Sequence, residues 1–86
     1  MQHWFLYMVR CGDNSLYTGI TTDIGRRIAE HRGKGRRGAK YLRGKGPLKL
    51  VYKKKVGTKS QALKMECRVK RMKKKEKEEM TRKTNQ

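Results

Sequence analysis

The sequence predicts an α/β domain of the α+β type, and three observations predict it. Two apolar runs, WFLYMV and LYTGI, flank the turn cluster GDNS and read as a β-hairpin. A stretch ending near Arg32 carries Ile24, Ile28 and Ala29 at helical spacing. An alternating run, LKLVY, precedes a second helical pattern with Ala62, Met65, Val69 and Met72 on one face. With a short helix allowed between, the expected order is β-β-α-α-β-α. Eighty-six residues make one small domain with a single modest core. Residues 1–75 are expected to form it, and 76–86 to be a charged helical end and polar tail.

Each element has a local reason. Trp4 to Val9 is aromatic and β-branched, as strands are. Leu16 to Ile20 returns as its partner. Thr22 or Asp23 suits a helix N-cap, and the first helix runs to about Arg32. Gly33 to Gly46 is rich in Gly, Lys and Arg. Ala39, Tyr41 and Leu42 would anchor a short helix there, and a basic loop is the alternative. Pro47 opens the third strand, Leu48 to Tyr52. Gly57 ends it, and Thr58 or Ser60 caps a long last helix that fades beyond about Lys73.

The charge speaks about partners. There are 25 Lys and Arg against 7 Asp and Glu, a net of +18, which calls for a polyanion. No segment sets a basic face against a strong Trp/Phe/Leu face, so nucleic acid is favoured over a membrane surface. Thirteen of the basic residues fall between Arg26 and Lys55, against one acid, Glu30. With no secretory signal and no bilayer-spanning run, the expectation is a cytoplasmic protein with Cys11 and Cys67 reduced. His3, Cys11, His31 and Cys67 lack the close pairing of a structural zinc site.

Several polar residues stand where apolar ones are expected. Arg27 and His31 share a helix face with Ile24 and Ile28, the face that must lie on the hairpin. Glu66 falls between Ala62 and Val69, where a carboxylate is costly unless it is paired or binds a cation. Each has an ordinary explanation: Arg27 snorkels, His31 is a satisfied edge residue, and Glu66 forms a salt bridge. Tyr7 and Tyr17 can cooperate only on one sheet face. A two-residue turn at Asp13-Asn14 separates them, and a three- or five-residue loop, or a bulge, unites them. Both remain open in the sequence.

The stretch LYMVRCGDNSLYTGITTDIGRRIAEH resembles the opening of a GIY-YIG nuclease domain. Leu6-Tyr7 stands for the end of the first triplet, and Tyr17-Thr18-Gly19 for the second. Arg27 follows in an Asp-x-x-x-Arg context, His31 lies one turn later, and ALKMECRVKRM fits the last helix with Glu66 as its acid. The match is nearest to small, stand-alone bacterial members of uncharacterised function. Phe5, Leu6 and Thr18 depart mildly from the triplets, and Asn85 is not carried over as the late asparagine of some branches. The resemblance implies a three-stranded antiparallel sheet flanked by helices. It also implies one pocket lined by Tyr7, Tyr17, Arg27, His31 and Glu66, with Gly19 as a structural motif residue. The implied activity is metal-dependent hydrolysis of phosphodiester bonds, of DNA rather than RNA. Glu66 would hold one Mg²⁺ or Mn²⁺ and Arg27 would meet the phosphate. Tyr17, or else His31, would serve as base. Arg26, Lys34, Arg36, Arg37 and Lys40 would grip the backbone. Many members carry a separate nucleic-acid-binding domain; these residues leave no room for one, so a protein partner supplying specificity is expected. The rival reading is a non-catalytic basic module binding DNA or RNA on the same fold.

Overall fold

The computed structural model describes residues 3–32, 42 and 46–83, the last by its backbone alone. Strand β1 (Trp4–Arg10) pairs antiparallel with β2 (Leu16–Thr21) on one side and with β3 (Lys49–Gly57) on the other. The sheet order is therefore β2-β1-β3, with the most apolar strand in the middle. Helix α1 (Ile24–Arg32) follows the hairpin, and α2 (Lys59–Lys70) and α3 (Lys74–Lys83) follow β3. The described elements run β-β-α-β-α-α, a three-stranded antiparallel sheet with helices on its flanks. The short helix expected near Ala39, Tyr41 and Leu42 lies, Leu42 apart, outside the described residues, as do Lys34, Arg36, Arg37, Lys40 and Asn85.

Arg10 pairs with Leu16, so residues 11–15 form the hairpin connection, an odd number. Asn14 supplies its positive φ of 71°, a conformation asparagine tolerates. The odd loop puts Tyr7 opposite Gly19 and Val9 opposite Tyr17 on one sheet face. On that face Tyr7, Val9, Cys11, Ile28, Leu42 and Leu48 form one buried apolar cluster, and Tyr17, Ile24 and Leu50 pack against it. The other face carries Leu6, Met8, Val51, Tyr52 and Val69, with Met65, Met72 and Met80 from the C-terminal helices.

Asp23 caps α1: its carboxylate accepts from the Arg26 amide at 3.0 Å, and its carbonyl from the Arg27 amide at 3.0 Å. Ile28 and His31 face inward, but Ala29, expected on the apolar side, is exposed. Thr58 caps α2 in a reciprocal box with Gln61.

One expectation is extended and one corrected. The third strand, read from the alternating run Leu48 to Tyr52 and ended by Gly57, starts at Lys49 and keeps its pairing through Lys53, Lys54 and Lys55 to Gly57. Lysines are poor strand formers, yet on an outer strand they reach water and discourage edge pairing. Instead of one long last helix there are two. The chain breaks at residues 71–73, where the Lys73 amide donates to the Glu76 carboxylate at 3.1 Å. That turn lets α3 fold back, so Thr81 is buried and the Glu78 carboxylate takes both ends of the Arg10 guanidinium.

Candidate active site

The site begins with a missing side chain. A Cβ at Gly19 would stand 2.5 Å from the Tyr7 hydroxyl oxygen and 2.7 Å from its ring carbon Cζ. Glycine on β2 is therefore what lets the Tyr7 ring lie flat across the neighbouring strand, almost wholly buried. Its hydroxyl reaches His31 Nε2 of α1 at 2.8 Å. Tyr17 closes the group: its ring lies edge-on to His31 with centroids 5.5 Å apart, and 6.5 Å from Tyr7.

Arg27, one helical turn before His31, presents its guanidinium to the Tyr7 hydroxyl. Its Nη1 also donates to Glu30 Oε1 at 3.0 Å. Burial pushes the Tyr7 hydroxyl up to about 12, the Tyr17 hydroxyl adds to this, and the Arg27 charge offsets it only in part. Tyr7 therefore keeps its proton at neutral pH. Burial, and then the Arg27 charge, hold His31 below its ordinary value, so its ring is uncharged at pH 7. Arg27 can only donate, so the Tyr7 oxygen accepts from it and the Tyr7 proton is directed at His31 Nε2. Desolvation lowers the pKa of Arg27, but the bonds to Glu30 and Tyr7 outweigh it and the net is upward.

Glu66 arrives differently. It sits on α2, which packs against the opposite face of the sheet, mainly on β2 and β1. Its side chain is 18% exposed and pairs with Lys70 Nζ at 3.6 Å. Its charge nonetheless reaches Tyr7 and helps hold that hydroxyl protonated. The expected residues thus fall in two parts: Tyr7, Tyr17, Arg27 and His31 in one group, and Glu66 acting on it through its field. Arg26 is exposed on α1. Sequence reasoning missed Glu30 as the partner of Arg27 and Lys70 as that of Glu66. The i,i+3 and i,i+4 spacings were the available signals.

A small antiparallel sheet whose hairpin carries two tyrosines around a glycine, crossed by a helix bearing Arg and His, defines a GIY-YIG domain. The GIY-YIG catalytic domain matches residues 3–80, and the chain belongs to the GIY-YIG family. It is 56% identical to a UPF0213 protein of Cronobacter sakazakii over 93% of this chain and 82% of the relative. The UPF0213 protein YhbQ of Escherichia coli is 52% identical over 93% of this chain and 78% of its own. Among solved structures, the solution NMR structure of the UPF0213 protein BH0048 from Bacillus halodurans superposes with a TM-score of 0.61. It shares 38% identity, over 95% of this chain and 85% of that one.

Proposed function

We propose that this chain is a cytoplasmic endonuclease that hydrolyses phosphodiester bonds, in DNA rather than RNA, with one Mg²⁺ or Mn²⁺. The repair or structure-specific type is favoured, with a protein partner setting the choice of substrate. The observation that supports this most is the meeting of Tyr7, Tyr17, Arg27 and His31 around Gly19, within the field of Glu66. Among the described residues no helix is long and apolar enough to cross a membrane.

Glu66 suits a hard divalent ion: it is a partly shielded carboxylate with the exposed Lys70 beside it. Among the described residues no cluster of three or more His, Cys, Asp or Glu could hold a metal. Mg²⁺ needs none, because it keeps several waters and takes substrate phosphate oxygens as ligands. When bound, the ion would polarise a phosphate oxygen and steady the leaving 3′ oxygen. The protein's own groups do the rest. Arg27, paired with Glu30 and turned to the Tyr7 hydroxyl, offers a forked guanidinium to the scissile phosphate and stabilises charge developing on it. Tyr7 stays protonated and donates a hydrogen bond to neutral His31, which fixes both rings. Tyr17, less buried than Tyr7, orients the attacking water and serves as its base once the hydroxyl has given its own proton to solvent.

The test is cleavage of labelled nicked, flapped and branched DNA with and without Mg²⁺ or Mn²⁺. Glu66→Gln keeps the size and hydrogen bonding of the side chain but removes its charge. It is expected to abolish cleavage while binding persists. Cleavage that survives the change would make Glu66 only the ion-pair partner of Lys70, and a wild-type chain that binds every substrate and cuts none would make this a non-catalytic binding module.

A further inference from the structure

A cleft of about 660 Å³ opens on the α1 face of the sheet, between the start of α1 and the outer strand β3. Its floor is apolar: Phe5, Ile24 and Leu50. Its β3 wall runs along Lys53, Lys54 and Lys55, of which Lys53 and Lys55 bring their charges to this face. A shallower continuation adds His3 and Arg26. The reason lies in the strand register. A bulge between Met8 and Val9 resets the β1–β3 pairing, so Tyr7 faces Lys53 and Phe5 faces Lys55 across the strands. Lys53 and Lys55 therefore turn to the same sheet face as Phe5 and Tyr7, while Lys54 alternates away.

Phe5 is the telling residue. It is part-exposed, and it joins neither of the apolar clusters that hold the next four residues of β1, Leu6 to Val9. An aromatic ring left at the bottom of a cleft beside two cations has the make-up of a base-stacking site with phosphate contacts at its rim. Edge protection accounts for lysines on β3, but not for an open apolar floor between them and α1. Asp23 stands on the opposite lip, its carboxylate holding the Arg26 amide. Its charge leaves the lysine side as the place for phosphates.

We propose that this cleft seats one unpaired base of a single-stranded segment of nucleic acid, stacked on Phe5, with Lys53 and Lys55 on the adjoining phosphates. Lys53 is the cross-strand neighbour of Tyr7, so the subsite lies one strand away from the reactive group. This deepens the nuclease reading, on which its role in substrate selection rests, but the binding itself does not depend on catalysis.

The experiment is fluorescence anisotropy in EDTA, with a short labelled oligothymidine and a blunt duplex of the same length. Phe5→Leu keeps apolar volume and removes the ring face; it should weaken single-strand binding about tenfold and leave duplex binding near wild type. Lys53→Gln with Lys55→Gln should lower the slope of log affinity against log salt by about 0.7 for each lost contact on the single strand. Photocrosslinking of an oligonucleotide carrying 5-iodouracil should label the peptide containing Phe5, and this holds as a readout even if Phe5→Leu folds poorly. Equal losses on single strand and duplex, an unchanged salt slope, or crosslinks that map elsewhere would each overturn the proposal. Since no cleavage is measured, such a result leaves the Glu66-dependent activity standing. Single-strand selectivity in a chain that never cuts would instead retire the nuclease reading alone.

Discussion

Gly19→Ala tests the geometry on which the site depends. Gly19 has no positive φ, so in open space an added methyl would stabilise the fold by about 0.4–1 kcal/mol through the unfolded chain. Here the Cβ would meet the Tyr7 hydroxyl at 2.5 Å, where ordinary contact begins at 3.4 Å. The ring must retreat by the difference, about an ångström, and at 1% exposure it has nowhere to go. Overpacking of this kind costs about 1–3 kcal/mol, and loosening the 2.8 Å bond to His31 adds roughly 1 kcal/mol. The net expectation is a loss of about 2–3 kcal/mol, a fall in melting temperature of roughly 10–20 °C for a domain of this size. Circular dichroism melts and guanidinium titrations read it directly. Tyr7→Phe removes the oxygen in the shortest contact but leaves Cζ at 2.7 Å. In that background Gly19→Ala should cost about 1 kcal/mol less than in the wild type, a coupling typical of touching residues. A neutral or stabilising Gly19→Ala, or strictly additive costs, would refute the packing of Tyr7 on Gly19.

Three further outcomes are expected. Thr18 buries a hydroxyl that has no hydrogen-bond partner among the described residues; Thr18→Val should therefore raise stability by about 1 kcal/mol, visible as a higher melting temperature. Arg27→Lys should slow cleavage on the order of 10²-fold or more with binding unchanged, because a lysine cannot present a fork to phosphate. Arg26→Lys, exposed on the helix, should cost far less, and equal small effects in single-turnover assays would remove Arg27 from the chemistry. His31 is held below its ordinary 6.5 in the folded state, so as pH falls the unfolded chain takes up its proton first. Its contribution is full above about 6.5 and is lost as pH falls from there through the folded value. Guanidinium midpoints measured across that window should drop, and His31→Gln should flatten the drop.

The sequence by itself determined the elements and the residue types. Aromatic and β-branched runs around GDNS made a hairpin, and Asp23 and Thr58 announced their helices through capping chemistry that is local in the chain. Helical spacing alone put Arg27 and His31 on the inward side of α1. What it left open were relations between strands and the fate of charged runs, since both depend on partners distant in sequence. Only the pairing of Arg10 with Leu16 made the hairpin loop odd and brought Tyr7 and Tyr17 to one face. Only docking on β1 turned Lys53, Lys54 and Lys55 into strand, because ladder bonds to a buried neighbour outweigh weak intrinsic propensity. The fold-back of α3 depended likewise on Arg10, far away in the chain, meeting Glu78. Glycine at position 19 was legible as a motif letter, but its reason, the Tyr7 ring lying across the next strand, exists only once the sheet has formed.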